Sequence, residues 1–90
     1  MNVFARAADL IETKGWTQGT SARTATGDPC SPDDPKATCF CASGALAAVG
    51  AWGADMARLR AHLNIYSLSI WNDRPDRTAA EVIAALRACA

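Results

Sequence analysis

Several things this sequence lacks narrow its reading before any motif is considered. It has no net charge, nine lysines and arginines offsetting nine aspartates and glutamates. A chain without a cationic excess gives no support to nonspecific nucleic-acid binding, and one without an acidic excess gives none to DNA mimicry. Aromatic residues supply only 7% of the chain. Alanine makes up much of its hydrophobic half, so Leu, Ile, Trp and Phe must carry most of the burial. The amino end, M-N-V-F-A-R-A-A-D-L, lacks an unbroken apolar run because Asp9 interrupts it, and no small-residue cleavage site follows. A cytosolic protein with no membrane segment is expected, its four cysteines (Cys30, Cys39, Cys41, Cys89) held as thiols. There is no internal repeat and no low-complexity segment. No glycine-rich loop follows a strand, which argues against a phosphate-cradling role for Gly44, and no cofactor is expected.

What is present points to a mainly α fold, a single small domain over residues 1–90. The stretch from Thr38 to Trp52, T-C-F-C-A-S-G-A-L-A-A-V-G-A-W, carries no charge. Read as a helix it is apolar all round, which belongs at the centre of a fold. From Cys39 to Trp52 its length of roughly 21 Å, at about 1.5 Å per residue, falls short of a hydrocarbon core of roughly 30 Å. It is therefore expected to be a buried central helix ending near Gly50 or Gly53. Ala45, Ala48 and Gly44 would allow close approach of a neighbour.

About four helices are expected in all. Residues 3–14 are amphipathic, with Val3, Phe4, Ala7, Leu10 and Ile11 inward, Asn2 as N-cap and Gly15 as a left-handed C-cap. The spacing predicts a third helix over 54–63, with Met56, Leu59 and Leu63 inward and Arg58 and Arg60 outside. Residues 64–71 read equally as a short extended piece or a helical turn. In the last helix Thr78 and Glu81 form a capping box, with Val82, Ile83 and Leu86 inward. Between the first two helices a short β-hairpin is expected, residues 19–23 with 28–31, turning at Gly27, with Pro29 confined to an edge. Ser31 and Pro32 suggest one helical turn before the central helix.

Three constellations could carry chemistry. Cys41, followed in the chain by His62 and then Asn72 or Asp73, has the order of papain-like hydrolases: thiol nucleophile, general base, orienting group. Against it, Ala42 and Gly44 fit no nucleophile signature, and cysteine is a common small buried hydrophobe. Cys30, Cys39, Cys41 and His62 could form a tetrahedral metal set. However, two cysteines in a C-x-C pair on one helix diverge by about 200°, so no metal is expected. The third constellation combines W-T-Q-G at 16–19, Arg23, and W-N-D-R-P-D-R-T at 71–78. There Trp16 and Trp71 offer stacking faces, and Gln18, Asn72 and Asp73 offer donors and acceptors. Arg23, Arg74 and Arg77 offer guanidinium forks for an anion. The structural alternative has Trp16 covering the end of the first helix, Asn72 and Asp73 closing an Asx-turn before Pro75, and Arg77 solvated.

G-W-T-Q-G, C-F-C-A-S-G-A-L and W-N-D-R-P-D-R-T-A-A-E-V, in that order, resemble a small uncharacterised domain family found in bacteria and bacteriophages. Cys41, Gly44 and Ala45 match its central-helix pattern, with Phe40 where tryptophan is typical. Trp16, Gly19, Asn72, Asp73 and Thr78 match as well. Thr24 and Thr26 stand where acidic residues are usual. The resemblance implies a cytosolic, phage- or prophage-associated protein and supplies no activity.

The leading expectation is a non-enzymatic accessory protein that binds a host protein or a small anionic ligand, with blockage of a host defence factor as one form of that role. Its binding residues would be Trp16, Gln18, Arg23, Trp71, Asn72, Asp73 and Arg77. A cysteine-dependent hydrolase using Cys41 and a self-associating structural module are the alternatives.

Overall fold

The computed structural model describes residues 2–90. Its elements in chain order are α1 (Val3–Lys14), β1 (Ala22–Thr24), β2 (Pro29–Cys30), β3 (Ala37–Phe40), α2 (Ala42–Ala48), α3 (Gly53–Leu63), α4 (Leu68–Asn72) and α5 (Ala79–Cys89). The fold is mainly helical, as expected, but the described residues form five helices rather than four and a three-stranded antiparallel sheet rather than a hairpin alone. Strand order is β2-β1-β3, with Ala22 opposite Cys30 on one side and opposite Phe40 on the other.

The largest correction concerns the apolar stretch. It is not one helix from Thr38 onward: residues 37–40 form β3, and the helix begins only at Ala42. A buried strand and a buried helix both read as an unbroken apolar run, so periodicity alone does not separate them. Here the tertiary pairing with β1 decided the matter. The expected helical turn at Ser31–Pro32 is likewise absent. Two successive turns carry the chain through 31–37, closed by bonds from the Asp34 amide to the Ser31 carbonyl and from the Ala37 amide to the Asp34 carbonyl.

α1 is capped by Asn2, whose side chain accepts from the Ala5 amide at 2.9 Å. It packs against α5 and α2 through Phe4, Ala7, Ala8 and Ile11. Arg87 of α5 reaches back to Asp9 and Glu12 of α1 at 3.0 and 2.7 Å. Gly15 does not close α1 as a left-handed cap. At φ 141°, ψ 167° it extends the chain alongside β3, where an added Cβ would lie 3.3 Å from the Cys39 Cβ. Trp16 then bridges Phe40 in parallel, with the Phe40 amide donating to the Gly15 carbonyl and the Thr17 amide to the Phe40 carbonyl, both at 3.1 Å.

α2 ends where Gly50, at φ 84°, lets the Ala51 amide return to the Leu46 carbonyl. α3 closes on Asn64 in the left-handed conformation. α4 is the helical solution of the ambiguous 64–71 segment, started by Ser67, whose hydroxyl accepts from the Ile70 amide at 3.2 Å. α5 starts at the expected capping box. Leu46, Leu59, Val82 and Leu86 are fully buried at the centre.

The close approach foreseen for Gly44 is present, but the neighbour is the backbone leading into β1 rather than a helix. A Cβ at Gly44 would stand 2.0 Å from the Ser21 carbonyl oxygen, which itself accepts from the Cys41 amide at 3.0 Å. Gly44→Ala must displace that backbone and is expected to lower unfolding free energy by about 1–3 kcal/mol in chemical denaturation. Thr78→Ala, which removes the α5 cap, should cost about 1 kcal/mol in the same assay.

Candidate functional site

The two loops singled out in the sequence lie against each other, and their side chains are one another's hydrogen-bond partners. Asn72, the last residue of α4, is completely buried. Its Oδ1 accepts from the Trp16 indole Nε1 at 2.8 Å and from the Ala42 amide at 3.0 Å. Its Nδ2 donates to the Thr17 carbonyl and to Asp73 Oδ1, both at 3.0 Å. An Asn side chain has two donors and one oxygen with two lone pairs, so this amide is saturated. Asp73 Oδ1 also accepts from the Gly19 amide at 3.0 Å, and Gln18 Nε2 donates to the carbonyls of Asn72 and Arg74 at 3.0 and 2.8 Å. Neither Asn72 nor Asp73 closes a local turn on itself; both reach across to the segment after α1.

Two of the three arginines named in the sequence, Arg23 and Arg77, are drawn into the same scaffold. Arg23 donates from Nε to the Thr17 hydroxyl, and from its two terminal nitrogens to the carbonyls of Gly27 and Gln18, at 2.9–3.0 Å. Arg77 stacks over the Trp71 ring at 4.1 Å, donates from Nε to the Trp71 carbonyl at 2.9 Å and pairs with Glu81 at 3.2 Å. Its side chain is only 14% exposed, so it is not the solvated arginine of the structural alternative. Trp16, Gln18, Arg23, Asn72, Asp73, Trp71 and Arg77 are thus brought together, but as mutual partners rather than as groups aimed at open solvent.

The residues shared with the resembled family gather in this region and at the helix starts. A model of a family of unknown function (DUF6197) matches residues 1–90. The chain belongs to that family. No curated protein and no solved structure matches it. Of the residues on which the resemblance rested, Trp16, Gly19, Asn72 and Asp73 build the junction, Gly44 admits the Ser21 carbonyl, and Cys41 and Thr78 cap helices.

Cys41 is the N-cap of α2 rather than a residue of its first turn. Its sulfur accepts from the Gly44 amide at 3.2 Å and lies 3.3 Å from the Ser43 hydroxyl, and the residue is 5% exposed. His62 is on the exposed surface of α3, and the Asn72 amide is committed to Trp16, Thr17, Ala42 and Asp73. Cys30 and Cys39 lie on the two strands flanking β1. Burial first, with Asp34 and Cys39 nearby, raises the Cys30 thiol above its ordinary value; burial raises Cys89, against a smaller opposing effect of Arg58. Among the described residues, no three His, Cys, Asp or Glu side chains gather to hold a metal.

One feature was overlooked in the sequence. Tyr66 and Ile70, in and beside α4, are exposed at 102% and 74%, while most large apolar side chains are covered. They border a groove of about 330 Å³ lined also by Ile65, Ser67, Trp71 and Arg74. The only signal was negative: L-N-I-Y-S-L-S-I-W holds more apolar residues than one short helix can turn inward.

Asn72→Ala leaves the Trp16 indole, the Ala42 amide and the Thr17 carbonyl without their buried partner, and should lower stability by about 3 kcal/mol or more in denaturant titration. Cys41→Ser preserves a capping acceptor and should stay within about 1 kcal/mol of the parent. Native Cys41 should be alkylated by iodoacetamide far more slowly than after unfolding, read by mass spectrometry.

Proposed function

We propose that this protein is a non-enzymatic binding module that engages a protein partner through the surface from Ile65 to Arg74. The observation that carries this reading is the exposed pair Tyr66 and Ile70 at the mouth of the groove floored by Trp71. Covering a side chain of this size contributes about 1.5–3 kcal/mol, which the isolated chain forgoes at both positions. Contiguous exposed apolar surface rimmed by polar groups marks association sites, and Tyr, Trp and Arg are the residues that dominate interface energetics. Tyr66, Trp71 and Arg74 supply all three types in one groove.

Of the three arginines first considered for an anionic ligand, Arg23 and Arg77 hold internal acceptors or a carboxylate, which leaves Arg74 alone exposed, beside Asp76. That favours a protein over a small anion as the partner. The resemblance to bacterial and phage proteins supports a host protein in that role, sequestered or blocked by the contact.

Affinity capture from bacterial host extract provides the test, with the parent protein, Tyr66→Ala and Ile70→Asp as baits. Both positions are solvent-exposed, so each variant should melt within a few degrees of the parent. A protein retained by the parent and lost from both variants is the expected result. Retention of nothing by the parent, or equal retention by all three, overturns the reading.

A further inference from the structure

The groove bordered by Tyr66 adjoins a second hollow, of about 390 Å³, lined by Arg60, Ala61, Asn64, Ile65 and Tyr66. Ile65 and Tyr66 line both. The combined surface has an apolar middle of Ile65, Tyr66, Ile70 and Trp71, with Arg60 in one hollow and Arg74 in the other. No aspartate or glutamate lines either hollow. This is a local asymmetry in a chain whose total charge is zero.

The two arginines are also available. Among the described residues, Arg60 has no carboxylate within ion-pair distance, and Arg74 has only Asp76 at 3.6 Å, the two side chains being 61% and 81% exposed. An exposed pair of that kind contributes about 0–1 kcal/mol and exchanges readily for a better-placed carboxylate. This contrasts with Arg23 and Arg77, whose donors are committed inside the protein.

We infer that the Arg60–Tyr66–Arg74 surface binds a protein segment bearing a large apolar side chain flanked on both sides by carboxylates. The inference rests on the reading of this face as a protein-binding site and names the chemistry of its occupant. The apolar side chain sits against Tyr66, Ile70 and Trp71, and the carboxylates meet the two guanidiniums at the rim. Charges in that position guide encounter and select among partners, while the apolar anchor supplies most of the affinity. A like-charged, basic segment is repelled at both ends.

The test is selection of a random dodecapeptide display library on the parent protein, on Tyr66→Ala and on the double variant Arg60→Glu/Arg74→Glu. Circular dichroism melts accompany each protein to establish that it is folded. The parent should enrich peptides with an aromatic or branched aliphatic residue between acidic ones. Synthetic peptides from that pool should bind the double variant about tenfold more weakly, and should weaken with added salt on the parent. Enrichment without acidic bias, or binding unchanged in the double variant, overturns the inference while leaving the protein-binding reading intact. Peptides that bind the parent and Tyr66→Ala equally, or no enrichment at all, overturn both. A concentration-dependent dimer in sedimentation, abolished by Tyr66→Ala, would replace the acidic segment with a second copy of the chain.

Discussion

The side-chain amide of Asn72 is the point on which the structure depends. Burying an amide is costly unless each of its donors and acceptors is matched, and this one is matched four times: to the Trp16 indole, the Thr17 carbonyl, the Ala42 amide and the Asp73 carboxylate. Those partners belong to the segment after α1, the start of α2 and the end of α4. A single side chain therefore fixes the mutual placement of three parts of the chain that apolar contacts alone, which lack direction, would leave free to slide. Among the described residues no buried side-chain nitrogen or oxygen is left without a partner, so the network is complete.

Around that amide the other residues that carried the resemblance follow a common logic. Gly44 is small because the Ser21 carbonyl occupies the place of its Cβ, and the same carbonyl holds the Cys41 amide. Cys41 then turns its sulfur onto the Gly44 amide, in the manner of a serine cap with a weaker acceptor. The pattern reads as a set of instructions for joining the sheet to α2 and α4. Polar and aromatic residues concentrated in loops need not be aimed at a ligand; in a small domain rich in alanine, directional polar contacts supply uniqueness that bulky packing would otherwise provide.

The proposed interface follows from this division. Once Trp16, Arg23, Asn72 and Arg77 are occupied internally, Tyr66 and Ile70 leave an exposed apolar surface where α3 hands over to α4. α4 has only five residues, with Leu68 and Asn72 directed inward, and it cannot also bury Ile70. The same short helix thus anchors the interior on one side and presents apolar surface on the other.

Features whose physics is local were legible from the amino-acid order alone. The amphipathic stripe and Asn2 cap of α1, the Thr78–Glu81 box of α5, the turn near Gly50 and the existence of a hairpin around Gly27 all depend on neighbours within a few residues. The loops at 16–19 and 71–78 were also visible as unusual in composition. That residues 37–40 are strand rather than helix depended on long-range pairing, since an apolar run satisfies either geometry until β1 supplies its ladder. The tertiary fold also decided that Asn72 faces Trp16 across 56 positions of chain, converting apparent ligand-binding groups into an internal junction. Tyr66 and Ile70 were left outside for the same reason: local composition shows that some apolar side chains of 63–71 must stay exposed, but which ones is settled by the faces the rest of the chain covers.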